Sequence, residues 1–213
     1  MKRIAVRIIV LLGFGFAAGP ADAVIIFNDG GLHEISTGVY EDMRIYDGPS
    51  GEPTLVRLLA GAETQDIDVF QNSRFEMTAG EIEDGTLILF DHSEGAISGG
   101  RVSDDMMRTF DFSRLIITGG DIGPGFMSYG NSEVLIHGSN FQIDGVPVGY
   151  GPVPVLMGFL TGDLLDGQIN CSFAILDNSS VTLVPEPAST IMLALGGVAL
   201  ILRRRASAAR NRP

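Results

Sequence analysis

Apolar and polar residues alternate along the middle of this chain, and the alternation restarts about every twenty residues. Phe70-Gln71-Asn72-Ser73 returns as Phe90-Asp91-His92-Ser93, Phe110-Asp111-Phe112-Ser113 and Tyr129-Gly130-Asn131-Ser132, at steps of 20, 20 and 19. Each copy runs on to a cluster of small residues: Thr78-Ala79-Gly80, Ser98-Gly99-Gly100, Thr118-Gly119-Gly120 and His137-Gly138-Ser139. An apolar residue follows in each, Ile82, Val102, Ile122 or Phe141. A fixed period of this length marks a repeat architecture, in which a copy buries its apolar face only against its neighbours. Phe75 and Met77, Leu115 and Ile117, and Val134 and Ile136 share one parity, as pleating requires of strands with one buried face.

The other parity carries charge in register. Arg74, Glu94, Arg114 and Glu133 form one column of alternating sign, and Glu81, Arg101 and Asp121 form another. Parallel coils lie roughly 4.7–4.9 Å apart, so stacking sets each charge against its opposite above and below. A coil shifted by one residue loses those pairs and exposes its apolar column. The pattern predicts an all-β chain, a short right-handed parallel β-helix (a solenoid) over 24–145; a β-sandwich is the alternative, but gives no reason for the columns. Gly95 breaks the Phe75 column, and Phe75 and Leu115 are large enough to fill the gap. The parity of Ile67, Val69, Leu87 and Leu89 is left open, because either they or the Phe70–Phe90–Phe110 column could face inward. Weaker copies begin at Thr37-Gly38-Val39 and Ala60-Gly61, with Asp47 to Pro53 looping out between them. Five or six coils make a rod of about 25–30 Å. Residues 146–183 are expected to cap its C-terminal end, since solenoid ends need covering.

The termini change the picture of charge. Lys2, Arg3 and Arg7, an apolar run from Ile8 to Ala18, and Ala21-Asp22-Ala23 read as a signal peptide over 1–23, with the mature chain starting at Val24. Between Val24 and Val184 there remain six Arg, no Lys and 24 acidic residues, a balance of 6 − 24 = −18. A field of that sign repels nucleic acid and anionic polysaccharide and favours cations or basic partners. Cys171 is the sole cysteine, which excludes an intramolecular disulfide.

At the other end stand Val184-Pro185-Glu186-Pro187, an uncharged run from Ala188 to Leu202, and Arg203-Arg204-Arg205. The two prolines hold Val184 and Glu186 extended. As a helix, 188–202 spans about 22 Å at roughly 1.5 Å per residue, a short single C-terminal transmembrane helix against a hydrocarbon core of roughly 30 Å. The arginines, with 206–213 as a basic tail, stay on the cytoplasmic side. This arrangement over 184–205 resembles the PEP-CTERM sorting signal of Gram-negative bacteria that make exopolysaccharide. The resemblance implies export, transient anchoring in the inner membrane, recognition by an exosortase-type membrane protease near the Pro-Glu-Pro, and delivery to the cell surface or medium. The partners implied are the export machinery, the exosortase, and exopolysaccharide or other matrix proteins.

For chemistry the passenger offers little. Nucleophile-elbow, P-loop, zincin and complete EF-hand motifs are absent, and His33, His92 and His137 fall at different phases of the repeat. Glu83, Asp84, Asp104 and Asp105 sit at nearly one phase in neighbouring coils, a set of hard oxygen ligands suited to Ca²⁺; a solvated acidic face is the plainer expectation, with no cofactor. Ile116 and Leu135 beside Ala96 make a small outward apolar stripe. The expectation is a non-enzymatic envelope or matrix protein of structural or interaction type. The alternative is a carbohydrate-active β-helix enzyme, a lyase or glycosidase, which rests on fold analogy.

Overall fold

The computed structural model describes residues 24–103, 106–123 and 125–186. All regular structure among them is β. After β1 (Val24–Phe27), the coils comprise β2 (Leu32–Ile35) and β3 (Gly38–Ile45); β4 (Leu55–Leu58) and β5 (Ala62–Val69); then β6 (Arg74–Met77), β7 (Glu81–Ile82) and β8 (Leu87–Leu89). They continue with β9 (Glu94–Val102) and β10 (Met106–Thr109), then β11 (Arg114–Ile122) and β12 (Gly125–Ser128). The sixth opens with β13 (Glu133–Ile143), which is followed by an insert holding β14 (Val146–Pro147), β15 (Gly151–Pro152) and β16 (Met157–Leu164); it closes with β17 (Gly167–Ile175), and β18 (Ser180–Pro185) follows.

Equivalent strands pair in parallel and build three faces. The first face stacks Leu55, Arg74, Glu94, Arg114, Glu133 and Ser180 in one row. The second stacks Glu63, Glu81, Arg101 and Asp121. The third stacks Ile45, Val69, Leu89, Thr109, Ser128 and Ile175. Residues twenty apart are therefore neighbours, as a solenoid requires and a sandwich does not. Ile67, Val69, Leu87 and Leu89 point inward with the Phe75 and Met77 parity, all buried, which resolves the open parity. At Gly95 an added Cβ would lie 2.9 Å from Leu89 Cδ1 and 3.1 Å from Leu115 Cδ1. Leu89, from the third face, thus shares with Leu115 the space expected for Phe75.

Each corner has its own chemistry. Between the first and second faces, Gly61, Gly80, Gly100 and Gly120 take φ of 87, 86, 86 and 91°, where a side chain is strained. Between the third face and the next coil, Tyr46, Phe70, Phe90, Phe110 and Tyr129 stack outside the barrel, ring centroids 4.6–5.2 Å apart and planes within 9°. Such stacking contributes about 0.5–1.5 kcal/mol per pair beyond burial. Gln71, Asp91, Asp111, Gly130 and Asp177 follow the corner residue with positive φ, and Asp is among the few side chains that tolerate it. Ser73, Ser93, Ser113 and Ser132 close the turn and are buried beneath the rings.

The stretch 146–183 divides in two. Residues 169–183 continue the parallel faces: Ile169 pairs with Ile122, β17 with β12, and β18 with β13. The insert before them adds antiparallel strands to that last coil, β16 along β17 and β15 along β18. Its backbone thereby satisfies strand edges that would otherwise be open for pairing with other chains. Cys171 sits in this layer, fully buried, and burial pushes its thiol up to about 12.

Candidate functional site

The charge columns form as spaced. Arg74 Nε lies 3.2 Å from Glu94 Oε2, Arg114 Nε 3.0 Å from Glu133 Oε2, and Arg101 Nη1 3.3 Å from Glu81 Oε1. A third column, Glu34–Arg57–Glu76, has contacts of 2.8 and 2.7 Å. The twenty-residue period hid it, because the loop at Asp47 to Pro53 stretches the step from Leu32 to Leu55 to 23 residues. These pairs are partly solvated and fix register more than they stabilise.

Several acidic residues serve as corner parts. Gln71 N donates to Asp91 Oδ2 at 2.9 Å, and Asp91 N to Asp111 Oδ2 at 3.3 Å. Asp84 turns a corner with φ 54°. Glu83 beside it feels Glu81, then Glu63, and these carboxylates hold its own above the usual range. Asp104 and Asp105 lie outside the described residues. Among the described residues no three His, Cys, Asp or Glu side chains are grouped for a metal ion. His33 contacts Asp29 at 2.8 Å and draws that carboxyl below its ordinary value, while His92 stacks on Phe112.

A polar face that the repeat did not reveal lies on the sheet β13–β16–β17. Strand alternation buries Phe141, Ile143, Leu160, Leu164, Ile169, Cys171 and Phe173 on one side. On the other, Gln142, Thr161 and Asn170 form one cross-strand row, and Asp163 with Gln168 forms the next. Asn140 Nδ2 donates to Asp163 Oδ2 at 2.6 Å. Phe159 borders these rows, pairs with Ser172 across the strands and is 44% exposed. The rows line a shallow groove of about 370 Å³. Amides and a hydroxyl supply both donors and acceptors without charge, and the adjoining ring supplies an apolar plate. Its signal in sequence was only the alternation of Asn140, Gln142 and Asn170 with apolar neighbours.

The tail leaves the rod from this same end. Val184 and Pro185 belong to β18, where they pair with His137 and Gly138 of β13. Glu186 is half-exposed just beyond the strand. Pro187, the run 188–202, Arg203, Arg204 and Arg205 lie outside the described residues, as does the signal peptide expected over 1–23. No described helix is long and apolar enough to cross a membrane. Comparison with protein families finds the PEP-CTERM protein-sorting motif at residues 183–205. No curated protein and no solved structure is found to match the chain. That motif is a recognition signal for exosortase, a membrane protease, and the matched residues begin inside the last strand of the solenoid. By this motif the chain is a PEP-CTERM domain-containing protein, exported and sorted by its C-terminal tail.

Proposed function

We propose that the passenger is an envelope or extracellular-matrix component that works by binding, with the β13–β16–β17 face as its site for uncharged polysaccharide. The observation that carries this reading is the pair of amide and hydroxyl rows at Gln142, Thr161, Asn170 and Gln168 beside exposed Phe159. Sugar hydroxyls pair with donors and acceptors of that kind, and the apolar face of a sugar ring packs on an aromatic plate. The −18 balance of the passenger disfavours uronate-rich chains. Binding is supported over catalysis because Asp163 is the single carboxylate among the described residues that line the groove, whereas glycoside hydrolysis generally uses two across the scissile bond.

The test is retention of the exported protein on immobilised neutral glucans and galactans against polyuronates, with the Phe159→Ala and Asn170→Ala variants alongside. The reading expects retention on a neutral polymer that both substitutions weaken several-fold without changing the melting temperature. Equal retention of the variants, or preference for the polyuronate, would overturn it.

A further inference from the structure

From Gly145 to Gly162 the chain carries no charged residue, the longest such run between Val24 and Glu186 in a passenger otherwise dense with carboxylates. The insert within it leaves large apolar side chains in the open: Leu156 is 68% exposed, Met157 67%, Val146 63% and Tyr150 56%. Natural surfaces rarely leave so many large apolar side chains of one segment without an occupant. Its place in the fold says which occupant. β15 is the outermost strand on β18, with Gly151 opposite Leu183 and Pro152 opposite Thr182, and Val153 N donates to Val181 O at 2.9 Å. The antiparallel register carries Tyr150 toward Val184 and Pro185, where the chain departs for its tail.

Two residues, Glu186 and Pro187, separate Pro185 from the uncharged run that starts at Ala188. Fully extended, the three steps to Ala188 reach about 10 Å. A tail anchored in the bilayer therefore holds this end of the rod at the membrane surface, and the insert is the layer that meets it.

We propose that the apolar insert around Tyr150, Val155, Leu156 and Met157 is a seat for the lipid surface, pressed into the interface while the tail is anchored. An uncharged insert suits this position, because a carboxylate pressed into the interface would lose hydration on contact. Aromatic and aliphatic side chains that enter an interface lie about 5–10 Å into the headgroup and acyl boundary. The seat is used in transit and released when the tail is cut. It rests on the anchoring of the tail but is independent of the sugar-binding reading.

The chain has no tryptophan, so Leu156→Trp introduces a single reporter. The full chain is reconstituted into protein-free phosphatidylcholine vesicles, with and without brominated acyl chains, and flotation separates bound from free. Val39→Trp, in the first coil at the far end of the stack, is the control. The seat requires blue-shifted Leu156→Trp emission quenched most by bromines near the carbonyls, while the Val39→Trp reporter stays solvent-like. Met157→Trp should report the same if Leu156→Trp does not fold. Chain that floats with the vesicles while both insert reporters stay unquenched overturns the seat alone. Chain that does not float overturns the anchoring as well. A blue shift that appears only when an exosortase is co-reconstituted, and that the brominated acyl chains do not quench, assigns the patch to the protease and overturns a lipid seat.

Discussion

Two glycines with the same backbone angle separate the cost of the angle from the cost of the stack. Gly51 and Gly100 both have φ of 86°. An added Cβ at Gly51, in the loop between the first two coils, meets nothing within 4 Å, whereas at Gly100 it meets Gly80 O at 2.6 Å and Ala79 C at 2.9 Å. Gly51→Ala should therefore cost only the left-handed strain, about 1–2 kcal/mol. Gly100→Ala carries the same strain, and the obstacle is backbone of the preceding coil, which moves only if that coil moves. Overpacking of this kind adds about 1–3 kcal/mol, for a total of roughly 2–5 kcal/mol. Urea denaturation followed by far-ultraviolet circular dichroism measures both variants. Equal losses would mean that the Gly80 carbonyl is not above Gly100, and the stacking of coils at this corner would be wrong.

The charge columns, the buried thiol and the acidic corner give three further expectations. Arg114→Glu places a carboxylate between those of Glu94 and Glu133 and should cost roughly 1–2 kcal/mol; inverting Arg74, Glu94 and Glu133 as well should restore most of it, and absence of rescue in urea titrations would contradict the register. The Cys171 thiol, raised to about 12 by burial, should resist a maleimide at neutral pH until the protein is unfolded, so rapid native labelling would contradict its place in the core. Glu83 has a raised folded pKa because of Glu81 and Glu63; the stability it lends is present in acid and lost as pH rises through that pKa. Glu83→Gln should then leave acid stability unchanged and raise the melting temperature at neutral pH, and a lower neutral melting temperature would refute the like-charge cluster.

Much of the solenoid is legible in the sequence because each coil must repeat both its apolar parity and its charges to stack. The steps between Arg74, Glu94, Arg114 and Glu133 survive in the strand register without change. The parity of the Phe column stayed open in the sequence for a physical reason. Those rings look like core residues, yet they stack on one another outside a corner whose interior is filled by serines, so the inward face belongs to Ile67, Val69, Leu87 and Leu89. The return of coil six was hidden because the insert between β13 and β17 breaks the period: Glu133 pairs with Ser180, 47 residues on. The polar face at Gln142, Thr161 and Asn170 was not legible: Asp166-Gly167 is a local signal for the β16–β17 hairpin, but no local pattern announces that β13 pairs with β16 across the insert. The sorting tail was the reverse case, read directly from Pro185-Glu186-Pro187 and the arginines, with its first residues then found inside β18.

The most direct test of a passenger delivered by a disposable tail is the intact mass of the protein recovered from the cell surface and medium. A chain that begins at Val24 and ends near Glu186, past the hydrogen-bonded strand and without Arg203, Arg204 and Arg205, is the expected product. A mature protein that reaches its destination with those arginines still attached would contradict it.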